Sequence, residues 1–168
     1  VIWLVRHGPV RVAPGTCYGR SEVALLDPAP GRPPELPKGV PVVSSPARRC
    51  AALAGAIDPG FGTDARLLEL DFGAWEGLAW DDVPRAALDD WAADPWGFAP
   101  PGGESGTALL ARVRAFWEGR AAGPLVIVSH GGPLRLLRQL AEGRPADILE
   151  APPAMGAVLR IEGAVRRL

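Results

Sequence analysis

Two histidines make up the whole imidazole complement of this 168-residue chain, and both stand in the same local pattern. Val1-Ile2-Trp3-Leu4-Val5 runs into Arg6-His7-Gly8, and Leu125-Val126-Ile127-Val128-Ser129 runs into His130-Gly131-Gly132. A neutral imidazole is a nucleophile and a proton acceptor, and an ordinary pKa of about 6.5 keeps that form populated near neutral pH. One histidine after an apolar run reads simply as the end of a strand. Two of them, with Arg6 adjacent, read as a site if the two runs lie side by side.

Arg49, Glu69 and Glu76 complete the reactive set. Guanidinium forks match phosphoryl oxygens. A neutral imidazole can attack phosphorus, a carboxylic acid can protonate the departing alkoxide, and its conjugate base can then activate water. That chemistry requires no metal and no cofactor. Two distant histidines and no cysteine pair at ligand spacing supply no closed zinc site. Cys17 and Cys50 are too few for a disulfide scaffold. A cysteine-based phosphatase needs Arg six positions after its Cys, where Val23 and Ala56 stand here. Both thiols read as buried or incidental.

The elements that must position these groups follow from patterning. Short apolar runs rich in β-branched residues read as buried strands of a parallel sheet. Ligands of such sheets sit beyond the carboxyl ends of the strands, where Arg6, His7 and His130 emerge. Val40 to Ser45 reads as a second strand. Ser45 then caps and Pro46 opens a helix that runs through Arg48, Arg49 and Cys50 to Ile57. Strand, polar turn and helix N-terminus together bind anions. Arg48 and Arg49 in a first turn oppose the helix dipole, a cost that an anion facing at least one of them would offset; the bland alternative is a solvated side chain. Ala65 to Leu70 reads as a third short strand that delivers Glu69. Leu109, Leu110, Val113, Phe116 and Trp117 form one helical face, and Leu134, Leu137 and Leu140 another, behind Gly132-Pro133. Ala157–Ile161 and Ala164–Leu168 read as a closing hairpin through Glu162-Gly163. This alternation predicts an α/β three-layer sandwich with a mostly parallel central sheet.

Between the elements, Pro9 to Lys38 is too rich in proline for a regular helix across its second half. Within it, Gly15-Thr16-Cys17-Tyr18-Gly19-Arg20 is either a surface turn or a border of the histidine pocket. Residues 80 to 98 are aromatic and acidic, with short helices broken by Pro84 and Pro95. Their tryptophans read as packing rather than ligand contacts. The composition is 48% hydrophobic with a formal net charge of −1. It carries no basic excess for nucleic acid and no apolar run approaching the roughly 18 residues of a membrane span. No secretory apolar segment is present, so the expectation is one cytoplasmic domain over residues 1–168.

Five segments together resemble the histidine phosphatase superfamily, the phosphoglycerate-mutase-like family. They are Leu4-Val5-Arg6-His7-Gly8, Ser44-Ser45-Pro46-Ala47-Arg48-Arg49, the stretch from Leu68 to Gly77, Pro101-Gly102-Gly103-Glu104-Ser105, and Val128-Ser129-His130-Gly131-Gly132. They span nearly the whole chain in the family's order. The resemblance implies that His7 is phosphorylated and that Arg6, Arg49 and His130 hold the phosphoryl oxygens, with Gly131 beside them. It implies that Glu69 donates a proton to the leaving oxygen and then helps water cleave the phosphoenzyme. Glu69 must carry a proton when the ester arrives, which burial favours and the arginines oppose. Residues 71–105 are then a capping segment over the site.

The chain departs from the family's pattern after its first motif. Pro9-Val10 stand where Glu-Thr is usual, and no Asn occurs anywhere. Tyr18 and Arg20 are the residues expected to compensate as substrate contacts. The proline-rich segment replaces a family helix, so one sheet face is expected to be thinly covered, with a second copy in a homodimer as the expected cover. The stretch Cys17 to Glu22 and the Pro-Gly-Gly-Glu-Ser run resemble bacterial α-ribazole phosphatases of cobalamin nucleotide-loop assembly. The expected partner is a small phosphorylated metabolite, hydrolysed as a phosphomonoester. The alternatives are a cofactor-dependent phosphoglycerate mutase, a protein phosphohistidine phosphatase and a non-catalytic phosphate-binding relative.

Overall fold

A computed structural model describes residues 1–163. Along the chain come β1 (Ile2–Arg6), β2 (Val42–Ser44), α1 (Arg48–Ile57), β3 (Gly62–Thr63), α2 (Arg85–Ala93), α3 (Gly106–Gly119), β4 (Leu125–Ser129), α4 (Gly131–Ala141) and β5 (Val158–Ile161). The strands form one sheet in the order β3-β2-β4-β1-β5. All neighbours are parallel except β5, which runs antiparallel to β1 at the edge. β5 is the first arm of the expected closing hairpin; the second arm, Ala164–Leu168, lies outside the described residues.

Period-two alternation sends each strand's side chains to opposite faces. Ile2, Leu4, Leu125 and Ile127 pack with Leu109, Val113, Leu134 and Leu137 of α3 and α4. Trp3, Val5, Val126 and Val128 pack with Cys50, Leu53, Ala54 and Ile57 of α1. The result is the expected three-layer sandwich. The second face is closed within the chain. Leu36, at the end of the proline-rich segment, is buried in that layer. Arg32 fastens the segment by donating to the carbonyls of Ile57, Leu36 and Pro37.

Two local expectations are corrected. Residues 65–70 are not a strand; a single 3-10 turn spans Ala65–Leu67, and the edge strand lies earlier, at Gly62–Thr63. The Asp64 carboxylate accepts from Arg66 N–H at 2.9 Å and starts the turn. The carbonyls that a strand would present to a neighbour are taken by side chains instead. Ser129 Oγ donates to Leu67 O at 2.7 Å, and Arg112 donates to the carbonyls of Arg66, Leu68 and Glu69 at 2.6–3.0 Å. Ser45 is not the N-cap of α1 either. The flanking residue is Ala47, and the Glu22 carboxylate, brought in by the long loop, accepts from Arg48 N–H.

Candidate active site

Strand register brings the two histidines together. Arg6 of β1 lies opposite Ser129 of β4, so the next residue on each strand is His7 or His130. Their rings pack edge to face with centroids 5.2 Å apart. His7 Nδ1 lies 2.8 Å from the Gly8 carbonyl. A carbonyl only accepts, so Nδ1 carries the proton and Nε2 is left with a bare lone pair. His7 is buried, and burial is the main cause of its low pKa of about 4. The Gly8 hydrogen bond works against that shift, and the charges of Arg49 and Arg6 reinforce it. The ring is therefore neutral at neutral pH.

His130 is held from the β2 side. The Ser45 hydroxyl accepts from Ala47 N–H at 3.3 Å, which leaves its own proton to donate to His130 Nε2 at 2.8 Å. On that assignment His130 carries its ring proton on Nδ1. The Cys50 thiol sits 3.5 Å from Nε2. Burial, followed by the charge of Arg49, holds the His130 pKa well below its ordinary value.

The two arginines are oriented by carbonyls rather than by carboxylates. Arg6 Nη1 donates to Pro153 O. Arg49, at 1% exposure, donates to Ser21 O and Gly19 O, and its guanidinium carbon lies 5.7 Å from the centre of the Tyr18 ring. Among the described residues, Nε of each is buried without a hydrogen-bond partner. A buried guanidinium with no carboxylate and an idle donor is costly unless an anion meets it, and a phosphoryl group has the charge and the acceptors to do so.

Glu69 follows the 3-10 turn and is aimed by its backbone. Its carboxylate accepts from Leu70 N–H at 2.9 Å and from Gly132 N–H, at the start of α4, at 3.1 Å. A Cβ on Gly132 would fall 2.4 Å from Glu69 Oε1, so glycine is what lets the acid approach the helix. Gly131 does the same for Arg6, whose guanidinium carbon would lie 3.1 Å from an added Cβ.

One cavity of about 200 Å³ is lined by Arg6, His7, Arg49, Glu69 and His130 together, and also by Thr16, Tyr18, Phe72 and Trp80. Tyr18 thus stands at the site as expected. Arg20 does not; it faces Asp71 at 3.7 Å and Glu104 at 3.6 Å, two carboxylates that draw it away from the cavity. Gly131 is a spacer beside Arg6 rather than part of the wall.

Glu76, grouped with Glu69 by sequence, is a clamp. It accepts from the N–H groups of Gly19, Arg20, Ser21 and Phe72 and from the Ser21 hydroxyl, fixing the loop whose carbonyls hold Arg49. Sequence reasoning missed Arg112, which binds the carbonyl of Glu69 and pairs with Glu104 at 2.7 Å. A signal was there: a cation at position 112 interrupts the apolar face formed by Leu109, Val113 and Phe116. The segment 15–20, read as either a surface turn or a border of the pocket, does border it through Thr16 and Tyr18; Phe72 and Trp80 were missed as lining, Trp80 because a tryptophan read as packing does both.

Sheet order and layers define a phosphoglycerate-mutase-like α/β fold, with both histidines at strand ends. The family model for the histidine phosphatase superfamily (branch 1) matches residues 35–163, and the chain belongs to that family. The Arg6-His7 motif precedes the matched range and is joined to it by β1–β4 pairing. A crystal structure from Thermus thermophilus superposes with a TM-score of 0.76 at 30% identity, covering 99% of this chain and 96% of that one. A phosphoglycerate mutase from Thermus thermophilus gives 0.73 at 28% identity, covering 99% and 95%. The α-ribazole phosphatase from Shigella flexneri shares the fold, with 0.77 at 24% identity over 94% and 87%. A bifunctional protein of Mycobacterium tuberculosis is 37% identical over 121 residues, 64% of this chain. The match covers 32% of that relative, so the chain spans about a third of the curated relatives it resembles.

Proposed function

We propose that the protein is a phosphatase that hydrolyses a small phosphomonoester through a phosphohistidine. The observation that carries this reading is the convergence of His7, Arg6, Arg49, His130 and Glu69 on one cavity, with two idle guanidinium donors. His7 Nε2 attacks phosphorus, a P–N bond forms, and the bond to the ester oxygen breaks. Glu69 gives its proton to that oxygen, and the alcohol leaves. Arg6, Arg49 and the Nδ1–H of His130 stabilise the equatorial oxygens, where charge accumulates. Glu69, now a carboxylate, takes a proton from water as the water attacks phosphorus. The P–N bond breaks, and inorganic phosphate and neutral His7 are restored. Every group used belongs to the chain, and residues 71–105 act as a cap that brings Phe72 and Trp80 to the wall.

α-Ribazole 5'-phosphate, in cytoplasmic cobalamin biosynthesis, is the physiological substrate we favour. The aromatic wall of Tyr18, Phe72 and Trp80 supports it, since a flat base can stack there. The likeness to a phosphoglycerate mutase favours a second reading, transfer of the phosphoryl group to another hydroxyl rather than to water.

The test is rapid alkaline denaturation during turnover of labelled phosphate esters, with the labelled residue mapped. The expected result is label on His7, absent from His7→Ala, with inorganic phosphate as product. Label that survives His7→Ala removes the mechanism. Product that is a second ester selects the mutase reading.

A further inference from the structure

Beside the phosphate cavity lies a second hollow of about 250 Å³, with Tyr18, Glu69 and Phe72 as its shared wall. Its remaining surface is mainly apolar, from Leu70, Trp91, Leu109 and Leu149. One cation enters it, Arg135 of α4. Arg135 Nη1 is spent on the Glu150 carbonyl at 2.9 Å. Its Nε is buried and, among the described residues, has no partner. Arg6 and Arg49, which line the phosphate cavity and also carry an Nε without a partner, thus have a counterpart next door.

Resting on the phosphatase reading above, we infer that this hollow receives the alcohol part of the ester, an uncharged, largely apolar or aromatic group bearing one hydrogen-bond acceptor for the Arg135 guanidinium. Direction sets the first half of the inference. In-line attack by His7 places the leaving oxygen on the far side of phosphorus, at the acid that protonates it. That acid is Glu69, which lines both hollows, so the carbon skeleton beyond the leaving oxygen continues into the second. Charge sets the other half. Besides Glu69, the carboxylates of Asp147 and Glu150 already act on Arg135. A neutral acceptor satisfies the guanidinium without setting a new anion beside Asp147 and Glu150, which stay ionised while Glu69 holds its proton. A glycerate, small and itself anionic, would leave the apolar wall unfilled and add that repulsion.

Titration calorimetry on the whole chain, with non-hydrolysable phosphonates, tests this without relying on turnover. Benzylphosphonate is expected to bind at least tenfold more tightly than methylphosphonate. At least one of 3- and 4-acetylbenzylphosphonate is expected to bind more tightly again, by about fivefold, and 4-carboxybenzylphosphonate more weakly than the acetyl compounds. Arg135→Met keeps the aliphatic stem and should erase the acetyl preference while retaining the benzyl one. Equal affinity for methyl- and benzylphosphonate overturns the subsite and leaves the phosphate site standing. An acetyl preference that persists in Arg135→Met, or its absence from the unmodified chain, removes Arg135 from the subsite. Failure of every phosphonate to bind overturns the phosphate-site reading, and this inference with it.

Discussion

The carboxyl edge of the sheet and the loop wall facing it are both rich in charge, and they treat that charge in opposite ways. In the wall, Glu76 collects five hydrogen bonds, and Glu104 is bracketed by Arg112 and Arg20. At the strand ends, the half-buried Arg6 and the buried Arg49 each have an Nε without a partner, and two imidazoles are kept neutral. A folded chain tolerates unpaired buried charge poorly. Satisfied charge thus marks what holds the molecule together, and unsatisfied charge marks what it is built to bind.

Substitutions on the two sides should separate these roles. His7→Ala has the largest expected effect on rate, a loss on the order of a thousandfold or more in kcat, with the urea midpoint unchanged or raised. Arg112→Ala inverts the pattern. It strips the carbonyls of Arg66, Leu68 and Glu69 of their donor and leaves Glu104 short of its main partner. Equilibrium urea unfolding should show a loss of about 3 kcal/mol, and kcat should fall because Glu69 is no longer aimed. Equal stability of Arg112→Ala and the unmodified chain would dissolve the contrast between the two regions.

How far the sequence discloses this division depends on range. The histidines and Arg49 were legible because each ends a local pattern, an apolar run or a strand-to-helix turn; Glu69 was legible only through the resemblance of Leu68 to Gly77 to a family motif. The sandwich was legible because short apolar runs alternate along the chain with helical apolar faces. The segment 65–70 was misread because its carbonyls are claimed by Arg112, more than forty residues away. Arg20 was misplaced for the same reason; nothing near it in the chain announces Asp71 and Glu104. The clamp role of Glu76 needs the loop to fold back across 55–57 positions, which no periodicity records.

Smaller effects sharpen the comparison further. Glu76→Gln keeps the shape but loses the charge that favours four N–H donors. Burial pushes this carboxyl up, yet the Ser21 hydroxyl and the backbone N–H groups outweigh burial and hold it below its usual range. The expected loss is about 2 kcal/mol by urea unfolding, with KM raised more than kcat is lowered as the Tyr18 loop loosens. The imidazoles give stability a pH dependence of definite sign. The unfolded chain takes up a proton on each near pH 6.5, whereas folded His7 waits until about 4. Stability is therefore fully present above 6.5 and falls as pH drops from 6.5 toward 4, by up to about 1.4 kcal/mol per pH unit for each imidazole. Denaturation midpoints across that range check it, and His7→Ala should flatten the slope. Arg20→Ala is the smallest case; its partly exposed ion pairs are worth about 1 kcal/mol or less by the same unfolding measurement.

Nucleophilic attack by His7 requires a neutral ring with its proton on Nδ1 and a bare Nε2. With only two histidines in the chain, 15N-edited NMR of the imidazole nitrogens reads this directly. At pH 6 the His7 signals should show a protonated Nδ1 and an unprotonated Nε2, with no titration until about pH 4. A His7 ring that titrates near 6.5, or carries its proton on Nε2, would contradict the account.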